Sequence, residues 1–398
     1  MQTPPQIARS IRIPDELRVQ RSLRAPELGP RILFFSGGSA LRPLSRVLKQ
    51  YTHNSVHLIT AFDSGGSSAQ LRHAFAMPAI GDLRNRIVAL ADESVRGNPQ
   101  IYRLFAYRLP GTATHAELAA ELQQLVAGEH PLAASIPEPM RRIVQTQLRF
   151  FAEQMPGDFD LRGANIGNLM LAGGFLSQSR DLDSALFLFS KLLEVRGVVR
   201  PIVDVDLHLC ADLSDQSRVV GQHRLTGKQE DPISSRVTDL FLIRSLQDPE
   251  RATTPIGEKA RRSIETADLI CYPMGSFYSS VVANLLPSGV GKAVAGAGCP
   301  RVYIPNTGRD PEQLGMSLAD SVEALVRFVR ADAGQDVPVS RIVNLVLLDQ
   351  NRESYAMKVD VERIERMGVQ VIELELVTAE SRPHAHPQRL TETLLSLT

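Results

Sequence analysis

RILFFSGGS at 31–39 and VHLITAFDSGGSS at 56–68 decide how this chain is read. Each stretch opens on a short apolar run and closes on glycine and serine. The run Arg31–Phe35 is too short for a buried helix and is halted by Ser36, Gly37 and Gly38, so it reads as a buried strand turning into a helix. Leu41, Leu44, Val47 and Leu48 then recur at helical spacing. Val56–Ala61 repeats the pattern and is stopped by Gly65 and Gly66. Strand, glycine turn and helix in alternation predict an α/β protein whose strands lie parallel, joined by crossover helices.

Outward from this pair, residues 1–30 are polar and broken by Pro4, Pro5, Pro14, Pro26 and Pro30, which predicts an N-terminal arm. Residues 97–160 carry helical periodicity (Leu118, Leu122, Leu125, then Met140, Ile143, Val144, Leu148, Phe151) interrupted by prolines, and read as a helical insertion. Helices continue over 169–176 and 182–193. Strands are expected at 202–209, 269–272, 302–304, 342–348 and 369–376, with a polar, β-rich excursion over 214–248. Residues 381–398 begin Ser-Arg-Pro-His-Ala-His-Pro and read as an exposed C-terminal tail.

The chain holds 398 residues, with 44 Lys plus Arg against 44 Asp plus Glu. A zero balance supplies no global field for nucleic acid or an anionic membrane, so neither is an expected partner and any phosphate must be held by local groups. No apolar run reaches the length that spans a bilayer, and the first residues lack an apolar signal core. Cys210, Cys271 and Cys299 show no CxxC spacing and are expected as buried thiols in a reducing compartment. The expected location is therefore the cytoplasm.

Glycine lets backbone approach a ligand, and a helix start offers unpaired N–H groups and a positive dipole end. Gly37, Gly38 and Ser39 after the first strand, and Gly65, Gly66, Ser67 and Ser68 after the second, are accordingly candidate phosphate-binding residues. One such loop alone is equally a plain tight turn; two on neighbouring strands fall on the carboxyl edge where open parallel sheets bind ligands. Asp63 is the candidate catalytic and metal-binding residue: at a strand end it can hold Mg²⁺, a ribose hydroxyl or a substrate hydroxyl, or cap the next turn. In GDLRN (81–85), Asp82 reads as a helix N-cap. Arg84 beside a positive helix end is unfavourable unless an anion sits there, so Asp82, Arg84 and Asn85 join the set. Gly167 and Asn168 open the run LMLAGGFL, which suits either close approach to a ligand or tight helix packing. Gly275, Ser276 and Tyr278 follow the 269–272 strand, with Tyr278 able to stack on a base or simply to pack. Asn306 and Arg309 sit at another strand end. The histidines lack zinc spacing, no GxSxG nucleophile turn is present, and neither GxGxxG nor a Walker A sequence occurs.

Taken in order, these motifs resemble the CofD-like superfamily, which includes 2-phospho-L-lactate transferases and YvcK-like gluconeogenesis factors. The YvcK-like GGGTGL is similar to residues 36–41 here, DDGGSSGRLR to 63–72, PPGDIRN to 79–85, GxxxGN to 163–168, and GPGSLYTSVxxNLL to the stretch from Pro273 to Leu286. Ser64 stands where the pattern has a second acid, and Ala40 where it has a glycine. These departures suggest a divergent branch, resembling CofD-related proteins that accompany ATP-grasp and kinase-like proteins in bacterial gene clusters; such proteins are then expected partners. The resemblance implies a Rossmann-like three-layer α/β/α core and a phosphorylated, nucleotide-like small molecule, a nucleoside diphosphate or nucleotide sugar, lying across the strand ends, with Mg²⁺ as a cofactor of the transferase chemistry. It implies two functions. One is a phosphotransferase moving a phosphorylated small acid from a nucleoside diphosphate carrier to an acceptor hydroxyl. The other is a nucleotide-sugar-binding metabolic regulator without turnover. The base, the acceptor and any homo-oligomer stay open.

Overall fold

The computed structural model describes residues 10–94, 97–227 and 232–398; the first nine residues of the predicted arm lie outside it. The arm's described part contains helix α1 (Glu16–Arg24), capped by Asp15, with Val19 turned into the core. The chain then runs β1 (Ile32–Ser36), α2 (Arg42–Leu48), β2 (Val56–Ile59), α3 (Gly66–Phe75) and α4 (Gly81–Leu90). The predicted insertion is helical, with α5 (Pro99–Ala106), α6 (His115–Ala127), α7 (Pro131–Ala134) and α8 (Met140–Gln154), followed by α9 (Ile166–Ser177) and α10 (Leu182–Leu192). Next come β3 (Val198–Pro201), β4 (His208–Leu213), β5 (Arg218–Val220), α11 (Gln222–Leu225), β6 (Val237–Ile243), β7 (Arg251–Ala252), α12 (Glu258–Glu265) and β8 (Leu269–Tyr272). The last part holds α13 (Val290–Gly296), β9 (Arg301–Tyr303), α14 (Leu318–Ala333), β10 (Leu345–Asp349), α15 (Val361–Arg366), β11 (Gln370–Leu374) and α16 (Pro387–Ser396).

Seven strands form one parallel sheet in the order β11-β10-β9-β8-β1-β2-β3. β1 is buried along its whole length. Leu33 and Phe35 pack into one face of the sheet, and Ile32 and Phe34 into the other, as the two-residue period requires. Helices cover both faces, giving the Rossmann-like α/β/α arrangement. Helices α5 to α10 build a further apolar cluster with α3 and α4. The 208–252 region forms a separate antiparallel sheet, β5-β4-β6-β7. Beside β1 the strand order reverses: β2 follows it on one side, whereas β8, far along the chain, lies on the other. The crevice at such a reversal is where open α/β sheets take ligands.

Two expectations need correcting. Of the strand expected at 202–209, only His208 and Leu209 are strand, as the start of β4; 202–207 is a link between β3 and β4. Its alternation of apolar residues with Asp204 and Asp206 is real, but Pro201 ends the edge ladder, and Asp206 is drawn away to bond Arg72. The 381–398 segment is not an exposed tail over its length. Arg382, Pro383 and His384 are exposed, but α16 carries Leu390, Leu394 and Leu395 fully buried with Leu41, Leu44 and Leu48 around α2. Leu390 and Leu394 stand one helical turn apart, a period masked by the polar, proline-rich approach to it.

Candidate functional site

The first glycine loop is built by contacts that only glycine allows. A Cβ on Gly37 would stand 2.8 Å from Thr60 Oγ1 and 3.0 Å from Ser280 Oγ, so Gly37 lets the turns after β1, β2 and β8 converge. Gly38 adopts φ +59°, the left-handed region. Its N–H donates to Asp82 Oδ2 at 2.6 Å. Asp82 is therefore not the N-cap of α4. That position belongs to Ile80, which has no side chain to cap with, and Asp82 sits one residue inside the helix with its carboxylate reaching across to the β1 loop.

α3 likewise starts without a side-chain cap, from Gly65. The starts of α3 and α4 meet because Gly81 lacks a Cβ, which would lie 2.8 Å from Ser68 Oγ. Between them opens a polar cavity of about 360 Å³. Its walls include Gly38, Asp63, Gly65, Gly66, Ser67, Ser68, Asp82, Arg84, Asn85, Asn168 and Ser276 from the expected set. Arg84 Nε donates to Asn168 Oδ1 at 3.3 Å, and Asn168 Nδ2 donates to Ser67 Oγ at 3.3 Å, tying α4, α9 and α3 together at the rim. Burial first, then Arg108 and Arg42, push the Arg84 guanidinium down to about 10 against the pull of Asp82. Positive charge is thus crowded at the starts of two helices, an arrangement that an anion relieves. Beneath the loop, buried Arg72 donates to the Asp63 carbonyl at 3.0 Å and to Asp206, fixing the turn from below.

Sequence reasoning missed Arg108, Gln222, His223 and Thr226, and passed over Gly81 and Ser280 inside motifs it had noticed. Arg108 belongs to the insertion, where it bridges to Asn165 and donates to the Gly163 carbonyl. The others of the first group come from α11 and its end. Nothing in their local lettering marks them; only the fold brings them here.

Several expected residues stand elsewhere. Gly167 is a packing glycine: a Cβ would meet the Phe105 carbonyl oxygen at 2.3 Å, so it lets α9 touch α5. Tyr278 is a core residue, 1% exposed, with its ring against Phe277 and Phe328 and its hydroxyl donating to the Val237 carbonyl at 3.4 Å. Asn306 clamps the turn after β8: its Oδ1 accepts the Gly275 N–H at 2.9 Å and its Nδ2 donates to the Gly275 carbonyl. Arg309 is exposed. The backbone N–H groups that follow Ser276 meet acids of the chain itself. Asp310 accepts from Phe277 N at 2.7 Å, and Glu312 accepts from Tyr278 N and Ser279 N at 2.8 Å and from Ser279 Oγ at 2.5 Å. Burial, and then Asp310, push the Glu312 carboxyl up to about 8.

Ser39 and Ala40 turn to a second cavity of about 460 Å³, walled by Pro43, Leu44, Met274 and Asn306 and closed by the C-terminal segment through His384, Ala385 and Leu390. It lies at the β1/β8 reversal and is mainly apolar. The two cavities flank the same β1 turn.

A sequence profile of the family described as 2-phospho-L-lactate transferase CofD matches residues 32–377, nearly the whole chain. The chain belongs to the CofD family. It is 30% identical over 298 residues to a putative gluconeogenesis factor of Nostoc, covering 75% of this chain and 52% of that protein, so the chain spans about half that relative's length. It is 27% identical over 373 residues to the gluconeogenesis factor of Bacillus subtilis, covering 92% and 97% of the two chains. A crystal structure of a UPF0052 protein from Bacillus halodurans superposes with a TM-score of 0.66 at 23% identity, covering 92% and 99%, which is a likeness of fold.

For a CofD family member, the donors here fit a protein-held divalent cation poorly. Among the described residues no three His, Cys, Asp or Glu side chains form a group that could hold a metal ion. Asp63 gives Oδ1 to the Gly65 N–H at 3.1 Å, Asp82 gives Oδ2 to the Gly38 N–H, and Ser64 is bonded to His223. A hard cation seeks several oxygen ligands, and Arg84 and Arg108 line the same cavity as the two acids. Among the described residues, no helix is long and apolar enough to cross a membrane.

Proposed function

We propose that this CofD family protein binds a nucleotide-type diphosphate ligand across the carboxyl edge of its sheet and acts as a nucleotide-sensing metabolic regulator; the metabolic part of that role is in keeping with relatives named gluconeogenesis factor. The observation that carries the reading is the meeting of two uncapped helix starts with Arg84 and Arg108 around one cavity. Backbone N–H groups, a dipole end and guanidinium donors are what phosphate oxygens require. The apolar cavity across the β1 turn suits the less polar remainder of the ligand, a base or other ring. Native mass spectrometry of the protein taken from its own cytoplasm tests this: a co-purifying nucleotide diphosphate supports it, and a ligand without phosphate overturns it.

A second reading, transfer of a phosphorylated group to an acceptor hydroxyl, is favoured by Asp63, which lines the cavity. Phosphorus NMR of the protein with its co-purifying nucleotide and hydroxyl acceptors separates the two. Nucleotide release by the wild type and not by Asp63→Asn supports transfer. Tight binding without release supports the regulator.

A further inference from the structure

The apolar cavity beside the β1 turn has walls of two origins. One wall is Pro43, Leu44, Met274 and Pro305, from α2 and the turns after β8 and β9. The other is His384, Ala385, Pro387 and Leu390, which lie beyond residue 377, where the match to the CofD profile ends. This second wall is anchored at both ends. The His386 N–H donates to the Leu376 carbonyl at 2.7 Å, closing 377–385 into a loop. Buried Asp349 accepts the N–H groups of Leu376 and Val377 at 2.7 and 2.6 Å, which pins the neck of that loop to β10. At the other end, α16 buries Leu390, Leu394 and Leu395 and is tied to the N-terminal arm. The Asp15 N–H donates to Ser396 Oγ at 2.7 Å, and Arg18 Nη1 donates to Thr398 Oγ1 at 3.3 Å.

The apolar cavity adjoins the polar one along two turns. After β1, Gly38 lines the polar cavity and Ser39 the apolar one. After β8, Ser276 lines the polar cavity and Met274 the apolar one. Neighbouring Cα atoms are only about 3.8 Å apart, so a ligand with phosphates at the α3 and α4 starts reaches the apolar cavity by crossing one turn of chain. We infer that the C-terminal segment, through Ala385, Pro387 and Leu390, determines which ring the ligand carries, by walling a nucleobase subsite in this cavity. The inference rests on the diphosphate site proposed above. A cavity of about 460 Å³ has room for a purine or a pyrimidine. Asn306 also lines it, but both ends of its amide are taken by Gly275, so it has little left with which to read a base edge. Selection then falls to the shape of the apolar walls. The phosphate-holding residues lie inside the range matched by the family profile and the second ring wall lies outside it. The two parts of the site are therefore separable by substitution.

The test is calorimetric titration of the full chain with ADP, GDP, UDP and CDP, and with inorganic pyrophosphate as the ligand without a ring. The wild type should bind at least one nucleotide about tenfold or more tighter than pyrophosphate. Ala385 lines the cavity and packs against the Leu390 cluster, so a larger side chain there fills the cavity from its C-terminal wall. Ala385→Trp should weaken the nucleotide about tenfold or more and leave pyrophosphate within about twofold. Ala385→Leu, a smaller filling that covers the case in which the tryptophan variant does not fold, should weaken it less and shift the ratio of purine to pyrimidine affinities. Nucleotide affinity within about twofold of wild type in the folded variants overturns the inference while leaving the proposed diphosphate site standing. So does a wild type that binds no nucleotide more tightly than pyrophosphate. Equal weakening of nucleotide and pyrophosphate also overturns it, since the substitutions then act on the β1 turn and not on a ring. Absence of binding for all four nucleotides and for pyrophosphate brings down the diphosphate site, and this inference with it.

Discussion

Two glycine–serine turns leave the carboxyl edge of the same sheet, and they differ in what meets the backbone N–H groups that follow. After β2, the start of α3 has no capping side chain, and with the start of α4 it faces a cavity rimmed by arginine. After β8, the N–H groups of Phe277, Tyr278 and Ser279 are taken by Asp310 and Glu312. The same lettering therefore has two outcomes. Where the chain brings its own carboxylates, the turn is a closed structural joint. Where it brings arginines, the turn stays available to an external anion. What distinguishes them is whether tertiary structure brings acid groups that accept those N–H groups or leaves them facing a cavity that arginines also line.

The largest break in this comparison should come from Gly81→Val. A Cβ there would stand 2.8 Å from Ser68 Oγ, and the branches of valine would displace that hydroxyl and fill the space between the starts of α3 and α4. Nucleoside diphosphate binding should fall below detection in calorimetry. Overpacking of this kind costs about 1–3 kcal/mol, so the melting temperature should drop by several degrees while the fold persists. Normal affinity in this variant would mean that the junction of the two helices is not where the ligand sits.

Arg84→Ala should act more selectively. Removing one charged donor weakens diphosphate binding by about 1.5–3 kcal/mol, roughly ten- to a hundredfold. The ligand-free protein should be as stable as the wild type or slightly more so, because Arg84 is half-buried beside Arg108 and Arg42. A clear loss of melting temperature with unchanged affinity would make Arg84 a structural partner of Asn168 and no more.

How far the sequence disclosed this follows from the range over which each signal acts. β1, β2 and their turns were legible because burial and glycine placement are local: Ile32–Phe35 is uniformly apolar up to the turn and fully buried. The α3 and α4 residues were legible for the same reason. Tyr278 and Gly167 were not, since an aromatic or a glycine near a strand end looks alike whether it meets a ligand or a neighbouring helix. Asp82 looked like a cap because caps are local; its actual partner, Gly38, lies 44 residues away. His223, Arg108 and the buried α16 depend on long-range packing that no local window records.

The smallest effect on binding, and the sharpest test of the contrast, belongs to Glu312→Gln. Glu312 is buried among the N–H groups of the β8 turn, and its carboxyl is held above the ordinary range, at about 8, by burial and by Asp310. Between the ordinary carboxylate range and about pH 8 the folded protein therefore holds a proton that the unfolded chain has lost. Stability then falls as pH rises through that window, the reverse of a paired carboxylate. Glutamine retains an oxygen that can accept from the turn but cannot ionise. The variant should match the wild type near pH 5 and exceed it at pH 8.5, the gap opening by at most about 1.4 kcal/mol per pH unit through that window, measured by urea unfolding at the two pH values. Its affinity for nucleoside diphosphates should stay within about twofold of wild type, less than 0.5 kcal/mol, because this turn is already satisfied from within. If Glu312→Gln instead weakens binding as much as Arg84→Ala does, the two turns are not closed and open versions of one motif, and the β8 turn is part of the ligand site.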